Sequence, residues 1–413
     1  MEDITQEAFP TKHDNDRRCD LFRGRWIRDL NRSIYTNESC PTIPVSKNCG
    51  WHGRSDTEYL QWRWKPDECE LPRFQPENFL RLVRGKKMAF IGDSVARNQM
   101  ESLLCLLSQA ETPINTYKDS EDRDRTWHFP THNFTLMVIW TKFLVPATKL
   151  LTNGTSSSDY NLQIDRPDPA WASKLPSPID YIVLSDGHWF FRKLYLHNNN
   201  NTIIGCVFCS EPDTNHLGPA HAIGLTLRTA LRFLKKYEEH TTTIVRTFSP
   251  SHFENGVWNT GGTCNRTWPL REGDVDSKGY ELEVRGAQVE EVERVRVGIV
   301  DVTKMMLVRA DGHPGVHWDN QYMKGSRCVR KDPVVHGCVR VWEFFGDSDW
   351  MRALADSVGS SSRKGEVSFL IEAPDNGSRG FQGEGRLVLT SRPGWGGYFL
   401  VAAPIMICQM SHL

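Results

Sequence analysis

Charge of one sign is what this 413-residue chain most plainly lacks: 50 lysines and arginines face 51 aspartates and glutamates, a formal net charge of −1. With no basic excess to hold a phosphate backbone, nucleic acid is not an expected partner. Long hydrophobic runs are missing as well. The opening stretch MEDITQEAFPTKHDNDRRCD has no apolar centre of the kind a signal peptide needs. Near the other end, YFLVAAPIMICQM is too short to span a bilayer, which takes about 20 residues, and is read as a strand or an aberrant tail. No internal repeat is present. A hydrophobic content of 39% nevertheless argues against disorder and for a large packed core.

Cysteine, by contrast, is plentiful. Eleven cysteines, with Asn-x-Ser/Thr sequons at Asn31, Asn37, Asn133, Asn153, Asn200 and Asn265, fit an oxidising, glycosylating compartment. The odd total leaves at least one thiol free or joined to another chain. Cys19, Cys40, Cys49 and Cys69 lie among tryptophans, arginines and prolines with little apolar periodicity, which predicts a disulfide-tied loop segment over residues 19–75. Cys206 and Cys209 form CVFC, but no second Cys/His pair stands at a zinc-finger spacing. A disulfide or buried thiol is therefore expected there, and no metal site.

From KKMAFIGDS onward the pattern changes. Residues 87–92 read as a short buried strand, and after an abrupt Gly-Asp-Ser turn Ala96, Met100, Leu103, Leu104 and Leu107 recur at helical spacing. Further strands are predicted at 134–140, 179–187, 242–249 and 295–303, with helices near 220–238 and 284–294. Strands alternating with helices imply a mainly parallel sheet covered on both faces, an α/β fold. The segment 150–168 and the NNNNT run near 198–202 are read as exposed surface excursions.

In such a sheet, ligands bind beyond the carboxyl ends of the strands, where Ser94 falls. A serine at a helix start is either a cap or a nucleophile sitting in the positive field of the first turn. A nucleophile needs a base, and three histidine contexts compete. LSDGHWFF brings Gly187 and His188 to the same sheet edge, with His188 favoured as a wall of the cleft. RADGHPGVHW places Asp311 two residues before His313, and RKDPVVHGC places Asp332 four residues before His336. In either of the latter, the acid would orient the imidazole.

The ordered set CDLFRGRWIRD, CGWHGRSDTEYLQWRWKP, CELPRF, FIGDSVARNQMESLLCLL, DGHW and MMLVRADGHPG resembles the plant trichome birefringence-like proteins, polysaccharide O-acetyltransferases of the Golgi. The resemblance implies a three-layer α/β/α sandwich related to the SGNH hydrolases, with an attached cysteine-rich N-terminal segment. It also implies that Ser94 is the nucleophile, doubling as a cap. The family's acid and base come from a C-terminal Asp-Cys-x-His-Trp-Cys-Leu-Pro-Gly block. Asp332 and His336 are its nearest counterparts here, one residue further apart and without the tryptophan or the Leu-Pro-Gly. An alternative register sets Ser326-Arg327-Cys328-Val329-Arg330 in that place, which would leave arginine where a base is needed.

The resulting organisation is a tail over 1–18, the cysteine-rich segment over 19–75, an acyltransferase or esterase-like domain over 76–345 and a divergent tail over 346–413. The expected reaction is a double displacement through an acetyl-serine: His336, held by Asp332, takes the Ser94 proton, and the acetyl group passes to a sugar hydroxyl. Backbone N–H groups of Ser94 and Gly187, with Arg97 or Asn98, are the candidate oxyanion donors. Trp62, Trp64, Trp189 and Trp258 are candidates for stacking on sugar rings. The co-substrates implied by the resemblance are an acetyl donor, acetyl-CoA or another acetyl carrier, and a polysaccharide acceptor, with no tightly bound cofactor. NTGGTCNRTWPLREGD and HPGVHW look most like the xyloglucan-acting branch. A membrane anchor is expected from the family but is not seen in this chain. Transfer to water, as in an acetylesterase, and polysaccharide binding without catalysis are the alternatives.

Overall fold

The computed structural model describes residues 19–315 and 317, apart from 31–34, 153–154, 176–177, 257–261 and 276–278. Asp332, His336, the arginine register and the 346–413 tail lie outside the described residues, as does Trp258.

The chain begins with a two-stranded antiparallel ribbon, β1 (Gly24–Arg28) and β2 (Trp62–Pro66), in which Trp26 faces Trp64 edge-to-face at 5.5 Å. Cys19 and Cys69 close its base as a disulfide. Between the strands lie turns and short 3-10 segments, as expected of a stretch with no helical periodicity. After α1 (Pro76–Leu82), β3 (Lys87–Gly92) and α2 (Ser94–Leu107) form the predicted strand, turn and helix. There follow β4 (Ile114–Lys118), β5 (Arg125–Phe129), β6 (Phe134–Trp140), β7 (Ala147–Thr152), β8 (Thr155–Gln163), α3 (Pro169–Ala172) and β9 (Tyr181–Ser185). Then come β10 (Leu194–His197), β11 (Ile203–Val207), α4 (Pro219–Leu234), β12 (Thr242–Arg246), α5 (Tyr280–Val295), β13 (Gly298–Val300) and α6 (Thr303–Leu307).

Seven strands build the main sheet in the order β13-β12-β9-β3-β6-β5-β4. Its first five strands run parallel, and β5 and β4 continue it antiparallel. Strand alternation divides the core. Met88, Phe90, Tyr181 and Val183 pack with Phe79, Leu103, Leu107 and Met306 on one face, while Ala89, Ile91, Ile182 and Leu184 pack with Leu227, Leu231 and Val292 on the other. The fold is thus a three-layer α/β/α sandwich. Burial on both faces is why β3 and β9 read as unbroken apolar runs.

One segment departs from the sequence reading. Within 150–168, expected to be a surface excursion, residues up to Thr152 and from Thr155 to Gln163 are strands: β7 and β8 join β10 and β11 in a second, four-stranded sheet of order β11-β10-β8-β7. Tyr160 and Leu162 point into a core with Phe143, Phe190 and Leu194, an alternation that the polar TSSSD run before them obscures.

Helix α2 is buried on nearly all sides, polar residues included. The cysteine-rich segment covers its outer face. Cys40 is disulfide-bonded to Cys105, Tyr35 hydrogen-bonds Ser102 at 3.0 Å, and the buried Lys47 ammonium donates to both Asn98 and Glu101. Burial pulls that ammonium down to about 8, against the opposing field of Glu101.

Candidate active site

Two turns at the carboxyl edge of the sheet make the site. Gly92 ends β3 and pairs in register with Ser185 at the end of β9, so the Gly-Asp-Ser and Asp-Gly-His turns lie side by side. Both glycines are obligatory. Gly92 has φ +152°, and a Cβ there would sit 1.7 Å from the Ser185 carbonyl oxygen. Gly187 has φ +154°, with Phe248 only 2.8 Å from such a Cβ.

Asp93, and not Ser94, caps α2. Its Oδ1 accepts the Val95 N–H at 2.8 Å, and Ser94 is already the first helical residue. This corrects the expectation that Ser94 caps, and the physical reason is that a cap must precede the first helical turn. The serine hydroxyl is left over: Ser94 Oγ is buried with no hydrogen-bond partner among the described residues. Buried hydroxyls are rarely orphaned, and such an atom marks a place where something else belongs.

Each of the other candidate oxyanion residues has a polar partner close by. The Gly187 N–H donates to the Asp186 carboxyl at 2.9 Å. Arg97 turns away from Ser94, its Nε donating to Glu101 at 2.7 Å and its Nη1 to the Asp122 carbonyl. The Asn98 carboxamide oxygen accepts from Lys47. The Gly187 N–H and the Arg97 guanidinium thus have acceptors of their own, while at Asn98 it is the oxygen that is engaged.

His188 is buried and stacked on Phe248 at 4.5 Å between ring centroids. Its backbone N–H donates to Asp93 Oδ2 at 3.3 Å, and its Nε2 lies 3.0 Å from the Ser249 carbonyl. It is a wall of the site that ties the Ser94 turn to the loop after β12. Asp186 is buried beside it, and burial, together with the charge of Asp93, pushes its carboxyl well above the usual range.

The Asp311–His313 turn behaves differently. Asp311 makes a two-pronged ion pair with Arg309 at 2.7 and 2.9 Å and does not orient His313. His313 Nδ1 accepts the Gly315 N–H at 2.9 Å, and its Nε2 is buried with no partner among the described residues. Burial, and the positive charge of Arg54, depress this imidazole to about 3. Asp311 is therefore not the acid of a dyad.

His252 escaped the sequence reading. It follows the end of β12 on the same sheet edge, in left-handed backbone (φ 59°), with Nδ1 buried and unpartnered among the described residues. Burial first, then His313, Arg309, Arg246 and His188, hold it well below the ordinary histidine range. The strand-end rule that located Ser94 would have found it, since PSHF directly follows the strand predicted at 242–249.

Among the stacking candidates, Trp64 is 4% exposed and donates to the Leu21 carbonyl, so it belongs to the core. Trp62 is half-buried and meets the exposed Trp268 edge-to-face at 5.5 Å, while Trp189 lies half-buried at the sheet edge. Cys206 and Cys209 are joined as a disulfide, with the His216 ring 3.8 Å from Cys209 Sγ.

Two family models match the chain. Residues 17–70 fit the PMR5 N-terminal domain, and residues 71–339 fit a GDSL/SGNH-like acyl-esterase family found in Pmr5 and Cas1p. Xyloglucan O-acetyltransferase 4 of Populus trichocarpa is 51% identical over 341 residues, 80% of either chain. Xyloglucan O-acetyltransferase 2 of Arabidopsis thaliana is 46% identical, covering 78% of this chain and 80% of that one. Protein trichome birefringence-like 20 of the same plant is 41% identical over 78% of this chain and 69% of its own. The chain, with its Gly-Asp-Ser turn and its cysteine-tied N-terminal segment, thus belongs to the trichome birefringence-like group of GDSL/SGNH-like acyl-esterase proteins.

Proposed function

We propose that this protein is a polysaccharide O-acetyltransferase that acetylates xyloglucan hydroxyls through an acetyl-Ser94 intermediate. The observation that carries the reading is the buried, unpartnered Ser94 Oγ at the first residue of α2, on the ligand-binding edge of a parallel sheet. A base draws off the Ser94 proton as Oγ attacks the acetyl carbonyl. The Ser94 backbone N–H, at the positive end of α2, faces the charge that develops on oxygen, and the donor departs. A sugar hydroxyl then takes the acetyl group, returning its proton through the same base. Asp332 and His336 are assigned as acid and base, on residue type and on the cysteine that follows them. The names of the relatives support xyloglucan as acceptor, and the disulfides Cys19–Cys69 and Cys40–Cys105 support an oxidising compartment such as the Golgi lumen.

The test is intact-mass spectrometry of the protein after brief exposure to an acetyl donor without acceptor, followed by addition of deacetylated xyloglucan. One acetyl group should appear on the Ser94 peptide and move to the polymer, and Ser94→Ala should show neither event. Full transfer by Ser94→Ala would overturn the nucleophile, and loss on His313→Ala with none on His336→Ala would overturn the base.

A further inference from the structure

Lys142 stands just beyond β6 with its ammonium over three rings: Trp189 at 4.9 Å, Tyr160 at 5.2 Å and Trp140 at 5.6 Å. Arg192 lies over Trp189 at 4.3 Å, and Arg123 over Trp140 at 4.7 Å. Lys142 makes no ion pair among the described residues. Glu121, a carboxylate whose field favours the ammonium, is already bound to Arg123 at 2.7 Å. Burial, and the charges of Arg123, Lys149 and Arg192, pull the Lys142 ammonium below its ordinary range. Ring faces hold a cation in the absence of an anion, but three like charges around a half-buried ammonium are a standing cost that an anion would relieve.

The place matters as much as the charge. Trp140 pairs in register with Gly92, and the Thr141 N–H donates to the Gly92 carbonyl at 2.8 Å. Trp189 follows His188, whose N–H is held by Asp93. The cluster therefore occupies the two strand ends that flank the Ser94 turn, and Trp189 Nε1 within it is buried and unpartnered among the described residues.

We propose that Trp140, Lys142, Trp189 and Arg192 form the subsite for the acetyl donor, and that this donor bears phosphate groups, as an acyl thioester of the coenzyme A class does. The assignment rests on the acetyl-transfer reading above. A neutral glucan brings no charge to these cations, whereas phosphates meet Lys142 and Arg192 while a purine base or the thioester arm lies against the indoles.

The probe is coenzyme A itself, titrated into the full chain and read by tryptophan fluorescence, with pantetheine as the phosphate-free control and an oligogalacturonide as the acidic-sugar control. Coenzyme A should bind saturably, more weakly as salt rises, and far better than pantetheine. Lys142→Met should raise its Kd about tenfold, the usual scale for one charge-assisted contact, while Lys142→Arg should restore it. Lys236→Met removes a cation that lies over Phe233 and Tyr237 and should change nothing. If Lys142→Met does not fold, Arg192→Met reads the same loss. Equal binding of pantetheine, indifference to Lys142, or preference for the oligogalacturonide would each overturn the subsite. Lys142-dependent binding in a protein that transfers no acetyl group would instead keep the subsite and sink the transferase reading.

Discussion

The turns at 92–94 and 309–313 contain nearly the same ingredients, a glycine and a buried aspartate beside a side chain capable of catalysis, and the fold puts them to opposite uses. Asp93 accepts from the backbone N–H groups of Val95 and His188, with the His188 Nδ1 a further 3.6 Å from its Oδ2, and takes nothing from Ser94. Asp311 spends both oxygens on Arg309, which also donates to the Tyr59 carbonyl and lies over Trp26. Arg54 donates to the carbonyls of Asp311 and His313. The second turn is thus where the cysteine-rich segment fastens to the catalytic layer. A carboxylate held mainly by backbone donors leaves the neighbouring hydroxyl unclaimed, whereas one committed with both oxygens to a buried guanidinium becomes a strut.

Two substitutions should separate these uses cleanly. Ser94→Ala should lower acetyl transfer about a thousandfold or more. It should leave the denaturation midpoint unchanged or slightly raised, because no hydrogen bond is lost. Asp311→Ala should do the reverse. It strands the Arg309 guanidinium in a site where that residue is 2% exposed, and loss of one partner from a buried pair costs about 3–5 kcal/mol. Urea denaturation of both variants, beside transfer assays, reads the contrast. A large stability loss in Ser94→Ala, or none in Asp311→Ala, would merge the two turns into one class.

His313 sharpens the same comparison through pH. Its folded pKa, about 3, lies below the 6.5 of the unfolded chain. Above pH 6.5 both states are neutral and the group is silent. As pH falls from 6.5 towards 3, only the unfolded state takes up the proton, so the group removes up to about 1.4 kcal/mol of stability per pH unit. His313→Asn keeps an acceptor for the Gly315 N–H without titrating. It should therefore flatten the stability curve between about pH 6.5 and 4, measured by urea midpoints at each pH. An unaltered slope would mean that the ring is not sequestered.

Much of this was legible in the sequence because it rests on local pattern. Apolar runs that stop at a turn gave β3, β6, β9, β12 and the edge on which Ser94 sits. The second sheet was not legible: Tyr160 and Leu162 alternate for only two steps behind a polar run, and their partners on β10, Leu194 and Leu196, lie far along the chain. Site chemistry was legible at Ser94 and less so around it. Whether Gly187, Arg97 or Asn98 is available depends on Asp186, Glu101, Asp122 and Lys47. Lys47 and Asp122 reach in from other parts of the chain, Glu101 from the next turn of the same helix, and Asp186 turns back on its own neighbour. Asp332 and His336 fall outside the described residues, and their assignment rests on residue type and on the cysteine that follows them.

The smallest expected effect concerns the carboxyl that sits between the two strand-end turns. Burial, and the nearby charge of Asp93, raise the folded pKa of Asp186 well above the usual carboxyl range. The sign is the opposite of that for His313. Its contribution is fully present below the unfolded pKa of 3.8 and is lost as pH rises from there to the folded value, the interval in which only the unfolded chain releases the proton. A carboxamide in its place would be neutral in both states and would keep an oxygen for the Gly187 N–H. Asp186→Asn should therefore raise the melting temperature at about pH 7, by a few degrees at most, and the gain should vanish near pH 4. A gain that persists at about pH 4 would point to packing rather than to the proton. A loss at about pH 7 would mean that Asp186 is ionised, and that the Gly187 turn is held by a charge, as the Arg309 turn is.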